Sequence, residues 1–224
     1  DNVVVTINTS DQKKAIDYMY SGIAKNGVKT VSVYDTLKAR RNEYIYFRTD
    51  HHWTTEGAQT AYGVWCAATG HEQQNWQLET ASTCFRGTLY SAVLLPDSPY
   101  DTVAIASDAA IRSMDCDGEV SDSLYSMAAL EEKDHYKIFM GGNYAKAVIR
   151  TGTENGKHLL LIKDSFANSF VPFLTGDYET ITMVDLRYCR EKLQPLADEA
   201  DDILVLYEIT NFAADGNLFK LNLH

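Results

Sequence analysis

Three short apolar runs near the C-terminus, at residues 158–162, 179–184 and 202–207, constrain the fold of this 224-residue chain most tightly. Each is rich in Leu, Ile, Val or Met and too short for an ordinary helix. Stretches of helical pattern, at 165–174 and 190–200, separate them. Strand–helix–strand spacing of this kind predicts βαβ units with parallel pairing, because parallel strands need a long crossover. A hydrophobic fraction of 45% is enough for a sizeable core. The length allows one α/β domain or two small ones, and we read residues 1–224 as a single domain.

Upstream, residues 2–8 read as a short buried strand. Ser10 is expected to cap a helix over 11–26 that carries Ala15, Ile16, Met19 and Ile23 on one face and stops at Gly27. Residues 30–34 and 44–48 are strand candidates. Thr54 or Thr55 is expected to cap a second helix. On it, Ala58, Ala61, Tyr62, Trp65 and Cys66 follow the spacing of a core-facing stripe, and Gly70 ends it. From 71 to 120 the pattern changes to polar stretches, Pro96, Pro99 and an alternating segment at 102–105. This region reads as a β-rich insertion, after which helix–strand alternation resumes near Leu124.

The net charge of −11 argues against nucleic acid, which selects a basic face, and against docking on anionic lipid. No apolar run approaches the roughly 20 residues needed to span a bilayer. The chain starts at Asp1 without a Met, which reads as a trimmed chain whose anchor or export signal lies outside it. Cys66, Cys84, Cys116 and Cys189 form no CxxC pair, so a zinc knuckle is not expected, while one or two disulfides stay open.

Two segments carry chemistry. The first is Asp50-His51-His52-Trp53, where a strand-like run meets a helix. Side chains at i and i+2 of an extended segment point the same way, so Asp50 and His52 are expected to face one cleft while His51 points elsewhere. A carboxylate beside an imidazole fixes its tautomer and supports a general base. The structural alternative is that the histidines and Trp53 are packed residues and Asp50 a helix cap. Asp50, His51, His52 and Glu56 are also possible metal ligands, but adjacent histidines on an extended segment diverge, so no metal or other cofactor is expected.

The second segment is Leu159-Leu160-Leu161-Ile162-Lys163-Asp164-Ser165-Phe166. A buried strand ending in a serine that opens a helix is one way to present a nucleophile, with the helix start favouring an oxyanion. The plain alternative is a helix cap. Gly142 and Asn143, in Met140-Gly141-Gly142-Asn143, are candidate oxyanion donors or simply a turn. Arg187 either binds substrate or pairs with Asp185.

These motifs, with Gly57-Ala58 and Val184-Asp185-Leu186-Arg187-Tyr188, resemble the DHHW family of bacterial surface proteins. That family is related to the SGNH-like acetyltransferase domains of alginate O-acetylation proteins. The resemblance covers most of the chain and implies a three-layer α/β/α sandwich like that of SGNH hydrolases, with a mostly parallel sheet. It implies Ser165 as nucleophile, His52 as base and Asp50 as its orienting acid, with Gly142 and Asn143 as oxyanion donors. Lys163 departs from the pattern, which has a glycine before Asp-Ser, and the 71–120 region has no counterpart we can name.

The expected activity is extracytoplasmic transfer or hydrolysis of an acyl group, expected to be acetyl, on a cell-surface or exopolysaccharide glycan, and the acidic balance of the chain favours a neutral or differently charged glycan over alginate. The expected partners are that polysaccharide and a membrane-bound O-acyltransferase as acyl donor. The alternative is a non-catalytic glycan-binding or assembly protein on the same fold.

Overall fold

The computed structural model describes residues 11–94 and 97–222. The strand expected at 2–8 and the cap expected at Ser10 lie outside these residues. Helix α1 (Gln12–Ala24) is capped by Asp11, whose carboxylate accepts from the Lys14 N–H. Residues 30–34 form no strand, and α2 (Tyr34–Ala39) starts there instead. Helix α3 (Thr55–Thr69) has the expected form: Thr54 caps it by accepting from the Gly57 N–H, and Gly70, at φ +86°, closes it. Its expected stripe of Ala58, Ala61, Tyr62, Trp65 and Cys66 is buried.

The 71–120 region holds β1 (Leu78–Phe85), α4 (Thr88–Val93), β2 (Asp101–Ala106) and β3 (Ile111–Cys116), and β4 (Glu119–Ser121) follows. β1 and β2 form a two-stranded antiparallel sheet. β3 and β4 are joined by Asp117-Gly118, both at positive φ as a type I′ turn requires, and they belong to the main sheet. That sheet is completed by β5 (Lys146–Thr151), β6 (His158–Lys163), β7 (Thr180–Val184) and β8 (Asp202–Leu206), in the order β4-β3-β5-β7-β6-β8.

The three C-terminal runs are strands, and β6 pairs parallel with both β7 and β8. The sheet as a whole is mixed and not mostly parallel. β5 lies antiparallel between β3 and β7, and the β3–β4 hairpin is antiparallel by construction. The physical reason is local. Only the last three strands are joined by helical crossovers, so only they are obliged to run parallel.

β6 is buried on both faces. Leu159 and Leu161 join the core under α3, whereas Leu160 and Ile162 join a second core with Leu186, Cys189 and Leu193. The connection after β6 is a 3₁₀ turn (Ser165–Ser169) followed by α5 (Val171–Leu174), packed on the α3 side. The connection after β7 contains α6 (Gln194–Asp198), packed on the opposite side, and α7 (Ile209–Ala214) follows β8. With crossovers on opposite faces, the carboxyl end of β6 is where an open α/β sheet leaves room for a ligand.

A third cluster of Phe47, Phe85, Val103, Tyr136, Ile138 and Phe139 joins the small sheet to a pair of 3₁₀ turns. It lies beneath the loop that carries the Asp-His-His-Trp motif. No helix among the described residues is long and apolar enough to cross a membrane. All four cysteines are free, with Cys84 exposed and the other three buried.

Candidate active site

Residues 44–48 form no strand. Tyr46 makes one antiparallel bridge to Trp53, the Phe47 N–H donates to the His52 carbonyl, and the Thr54 N–H donates to Ile45. The chain therefore doubles back over 45–54, with Arg48 to His51 at the tip. Asp101, fully buried at the start of β2, clamps that tip. Its carboxylate accepts from the Arg48 and Thr49 N–H groups, the Thr49 hydroxyl and the Tyr44 hydroxyl.

The parity argument for Asp50 and His52 identifies the right pair by the wrong geometry. The segment is a turn: Asp50 Oδ1 accepts from the His52 N–H at 2.9 Å and lies 2.5 Å from His52 Nδ1. The other carboxylate oxygen accepts from the Thr88 N–H at 2.8 Å and the Thr88 hydroxyl at 3.1 Å. His51 does not point away, because its ring lies 3.9 Å from that of His52 and its Nδ1 meets the Thr88 hydroxyl at 2.7 Å.

The far nitrogen of His52 completes the site. Nε2 lies 2.8 Å from Ser165 Oγ. With Nδ1–H directed at Asp50, neutral His52 presents an Nε2 lone pair to the serine hydroxyl. Burial opposes the Asp50 charge, but the hydrogen bond and charge of His52 and the backbone N–H groups outweigh it and hold the carboxyl at about 2. Burial also pushes His52 below its usual range, with Asp50 pulling against it. Near neutral pH the pair is a carboxylate and a neutral imidazole, the resting state of a general base.

Ser165 is 9% exposed, at the end of β6. The segment after it is a five-residue 3₁₀ turn and a four-residue helix, not one long helix, so a strong helix dipole at the serine is absent. Asp164 caps the turn through the Phe166 N–H, and its other oxygen accepts from the Glu208 N–H and the Asn211 amide. Burial raises its pKa against those hydrogen bonds. The Trp53 indole donates to the Phe166 carbonyl at 3.0 Å and lies 2.9 Å from Ser169 Oγ. The tryptophan of the motif thus ties the histidine loop to the serine turn.

Gly142 and Asn143 make their hydrogen bonds elsewhere among the described residues. Asn143 Oδ1 accepts from Lys163 Nζ at 2.9 Å and from the Asn168 amide, which also reaches the Gly142 carbonyl. These contacts show Asn143 organising Lys163 and Asn168, and they give no contact to His52 or Ser165. Lys163 is buried, and desolvation pushes its ammonium down to about 8 despite the pull of Asp185. Arg187 grips buried Asp185 with two hydrogen bonds, at 2.9 and 2.6 Å, so its fork is occupied.

Three contributing residues have no clear sequence signal. A Cβ on Gly87 would sit 2.1 Å from Asp50 Oδ2, so glycine is what lets Thr88 reach the carboxylate. Tyr136 stacks on the His52 ring at 3.6 Å with 3° between the planes. Thr88, the last of the short run Arg86-Gly87-Thr88, looks like any helix start. Asp50, His51 and His52 each place one potential ligand atom within 4.8 Å of the others. His52 is already engaged at both nitrogens, Nδ1 with Asp50 and Nε2 with Ser165, and His51 Nδ1 meets the Thr88 hydroxyl, so these rings are committed to hydrogen bonds and not aimed at one shared point.

A family profile described as "DHHW protein" matches residues 1–184. Among solved structures, a DHHW family protein from Eubacterium siraeum is 25% identical with a TM-score of 0.78, over 96% of this chain and 75% of that one. Bacillus cereus PatB1 is 25% identical with a TM-score of 0.62, over 77% of this chain and 65% of that one. A second PatB1 structure, with a sulfonyl adduct, is 22% identical with a TM-score of 0.71, over 95% of this chain and 76% of that one. No curated protein matches.

Proposed function

The chain belongs to the DHHW protein family, and from that premise we propose that it is a serine-dependent acyltransferase or esterase of the SGNH type. One observation carries the reading: His52 bridges Asp50 and Ser165 with its two ring nitrogens at 2.5 and 2.8 Å. In this reading the Ser165 hydroxyl attacks an acyl carbonyl while His52 Nε2 takes its proton. An Oγ–carbon bond forms, and the carbonyl electrons move to oxygen. Collapse expels the leaving alcohol, which takes the proton back from His52. The acyl-enzyme then passes its acyl group to a second hydroxyl or to water by the same steps reversed.

Asp50 stays ionised throughout, holding the Nδ1–H tautomer and stabilising the imidazolium. Ser165 opens its 3₁₀ turn, so its own N–H is one of the unpaired first donors and the nearest candidate for an oxyanion contact. We assign the substrate class as an acetylated or acetyl-accepting glycan outside the cytoplasm, following the family resemblance, with a membrane-bound acyltransferase as donor partner. The acidic chain favours a neutral glycan over a polyanion.

A chromogenic acetyl ester tests the reading. Ser165→Ala, His52→Ala and Asp50→Ala should each lose most turnover, and the Ser165→Ala/His52→Ala double variant should be little worse than either single one. A sulfonyl fluoride should label the intact protein at Ser165. If Ser165→Ala keeps full turnover, the serine mechanism is wrong; if the folded protein neither turns over nor labels, a glycan-binding role replaces it.

A further inference from the structure

The His52 ring is held between two others. His51 covers one side at 3.9 Å with a 38° tilt, and Tyr136 covers the ring at 3.6 Å with 3° between planes. Phe166 approaches at 4.8 Å. Tyr136 is buried, and its hydroxyl donates toward the Ser165 carbonyl at 3.2 Å and lies 3.1 Å from Ser169 Oγ. One side chain therefore touches both the base and the residue bearing the nucleophile.

We propose that Tyr136 is a positioning residue for the serine chemistry, registering the His52 imidazole by its ring face and the Ser165 turn by its hydroxyl. The proposal rests on the serine-transfer reading. Its physical content has two parts. A π face parallel to an imidazole favours the imidazolium that forms during transfer. A hydroxyl bonded to the Ser165 carbonyl fixes the backbone from which Oγ projects, and small misplacements of reacting groups are costly.

The ionisable groups facing His52 are Asp50, whose carboxylate raises its pKa, His51, whose charge lowers it, and Asp164, which raises it from farther away. Tyr136 contributes without charge, because burial pushes its phenol well above the usual range. Tyr136→Phe keeps the stack and removes the hydroxyl. Tyr136→Leu removes both the π face and the hydroxyl and leaves an apolar side chain, so the imidazolium loses its aromatic support.

The test is a histidine-selective NMR titration of the resting protein, with His51→Gln used to assign the two rings, alongside the rate of Ser165 labelling by a sulfonyl fluoride. In Tyr136→Leu the His52 pKa should fall by about half a unit to one unit, and in Tyr136→Phe it should stay near that of the parent protein. Tyr136→Phe should label about 3–10-fold more slowly while still fully folded at the assay temperature and with its His52 pKa unmoved, which a merely structural role would not produce. If Tyr136→Leu does not fold, the labelling rate of Tyr136→Phe decides: a slowed rate supports the proposal and an unchanged one overturns it. A His52 pKa that is unchanged or raised in folded Tyr136→Leu also overturns it. Should Tyr136→Leu show the His52 shift while the parent protein neither labels nor turns over, the ring contact with His52 stands and the serine-transfer reading fails.

Discussion

Gly87→Ala is the sharpest probe of how the Asp50–His52 pair is built. Gly87 sits at φ −106°, a backbone value open to any residue, so conformation does not explain the glycine. Space does. An added Cβ would lie 2.1 Å from Asp50 Oδ2 and 2.3 Å from Asp50 Cβ. Asp50 would have to retreat by at least about 1 Å to restore ordinary contact, since nonbonded carbon atoms settle near 3.5–4 Å. The carboxylate has little room for this, as its side chain is fully buried and its oxygens are bonded to His52 and Thr88. A displacement of that size at a reacting group costs about 10²-fold, and full loss of the orienting acid about 10⁴-fold. We expect kcat/KM for an acetyl ester to fall about 10²- to 10³-fold, or about 3–4 kcal/mol of transition-state stabilisation. The assay pairs that rate with the proton NMR signal of His52 Nδ1–H, strongly deshielded in a short bond to a carboxylate. The signal should move upfield or vanish. A folded Gly87→Ala protein with turnover within about threefold of the parent and an unmoved Nδ1–H signal would refute the steric argument.

Activity should rise with pH through the His52 pKa, which burial places below its usual 6.5, so the acid limb lies under pH 6.5 and flattens above it; a pH-rate profile checks this. Asp50, held at about 2 against an ordinary 3.8, adds stability that is present above pH 3.8 and is lost as pH falls toward 2, measurable by denaturant melts across that range. Arg187→Ala should lower stability by about 2–3 kcal/mol, discounted for the partly exposed guanidinium, because it strips Asp185 of its main partner, and KM for a small ester should not change. A thiol reagent should modify one cysteine quickly in the native protein, exposed Cys84, and reach buried Cys66, Cys116 and Cys189 only on unfolding. Chelators should leave ester turnover unchanged, and a loss restored by zinc would move the chemistry to a metal-activated water.

The sequence by itself determined the elements whose signals are local. The cap, stripe and stop of α3 are all within one segment, so Thr54, the Ala58 to Cys66 face and Gly70 are legible from spacing alone. The three apolar runs around β6 are legible for the same reason, and they bring Ser165 to a strand end. Asp50, His52 and Ser165 are recognisable as chemical types, and their family pattern pairs them. What tertiary structure decided is everything that depends on contacts across the chain. Residues 30–34 and 44–48 have strand-like composition, yet the first becomes the approach to α2 and the second one arm of a doubled-back loop, because Asp101, more than fifty positions away, collects the loop's N–H groups. Antiparallel β5 follows from its pairing with β3 and β7, which no local pattern encodes. Arg187 and Asn143 had polar partners to choose from, and the folded chain gave them Asp185 and Lys163. Gly87, Thr88 and Tyr136 are ordinary residues in sequence and acquire their roles only when folding packs them against Asp50 and His52, since such roles are set by distance and not by type.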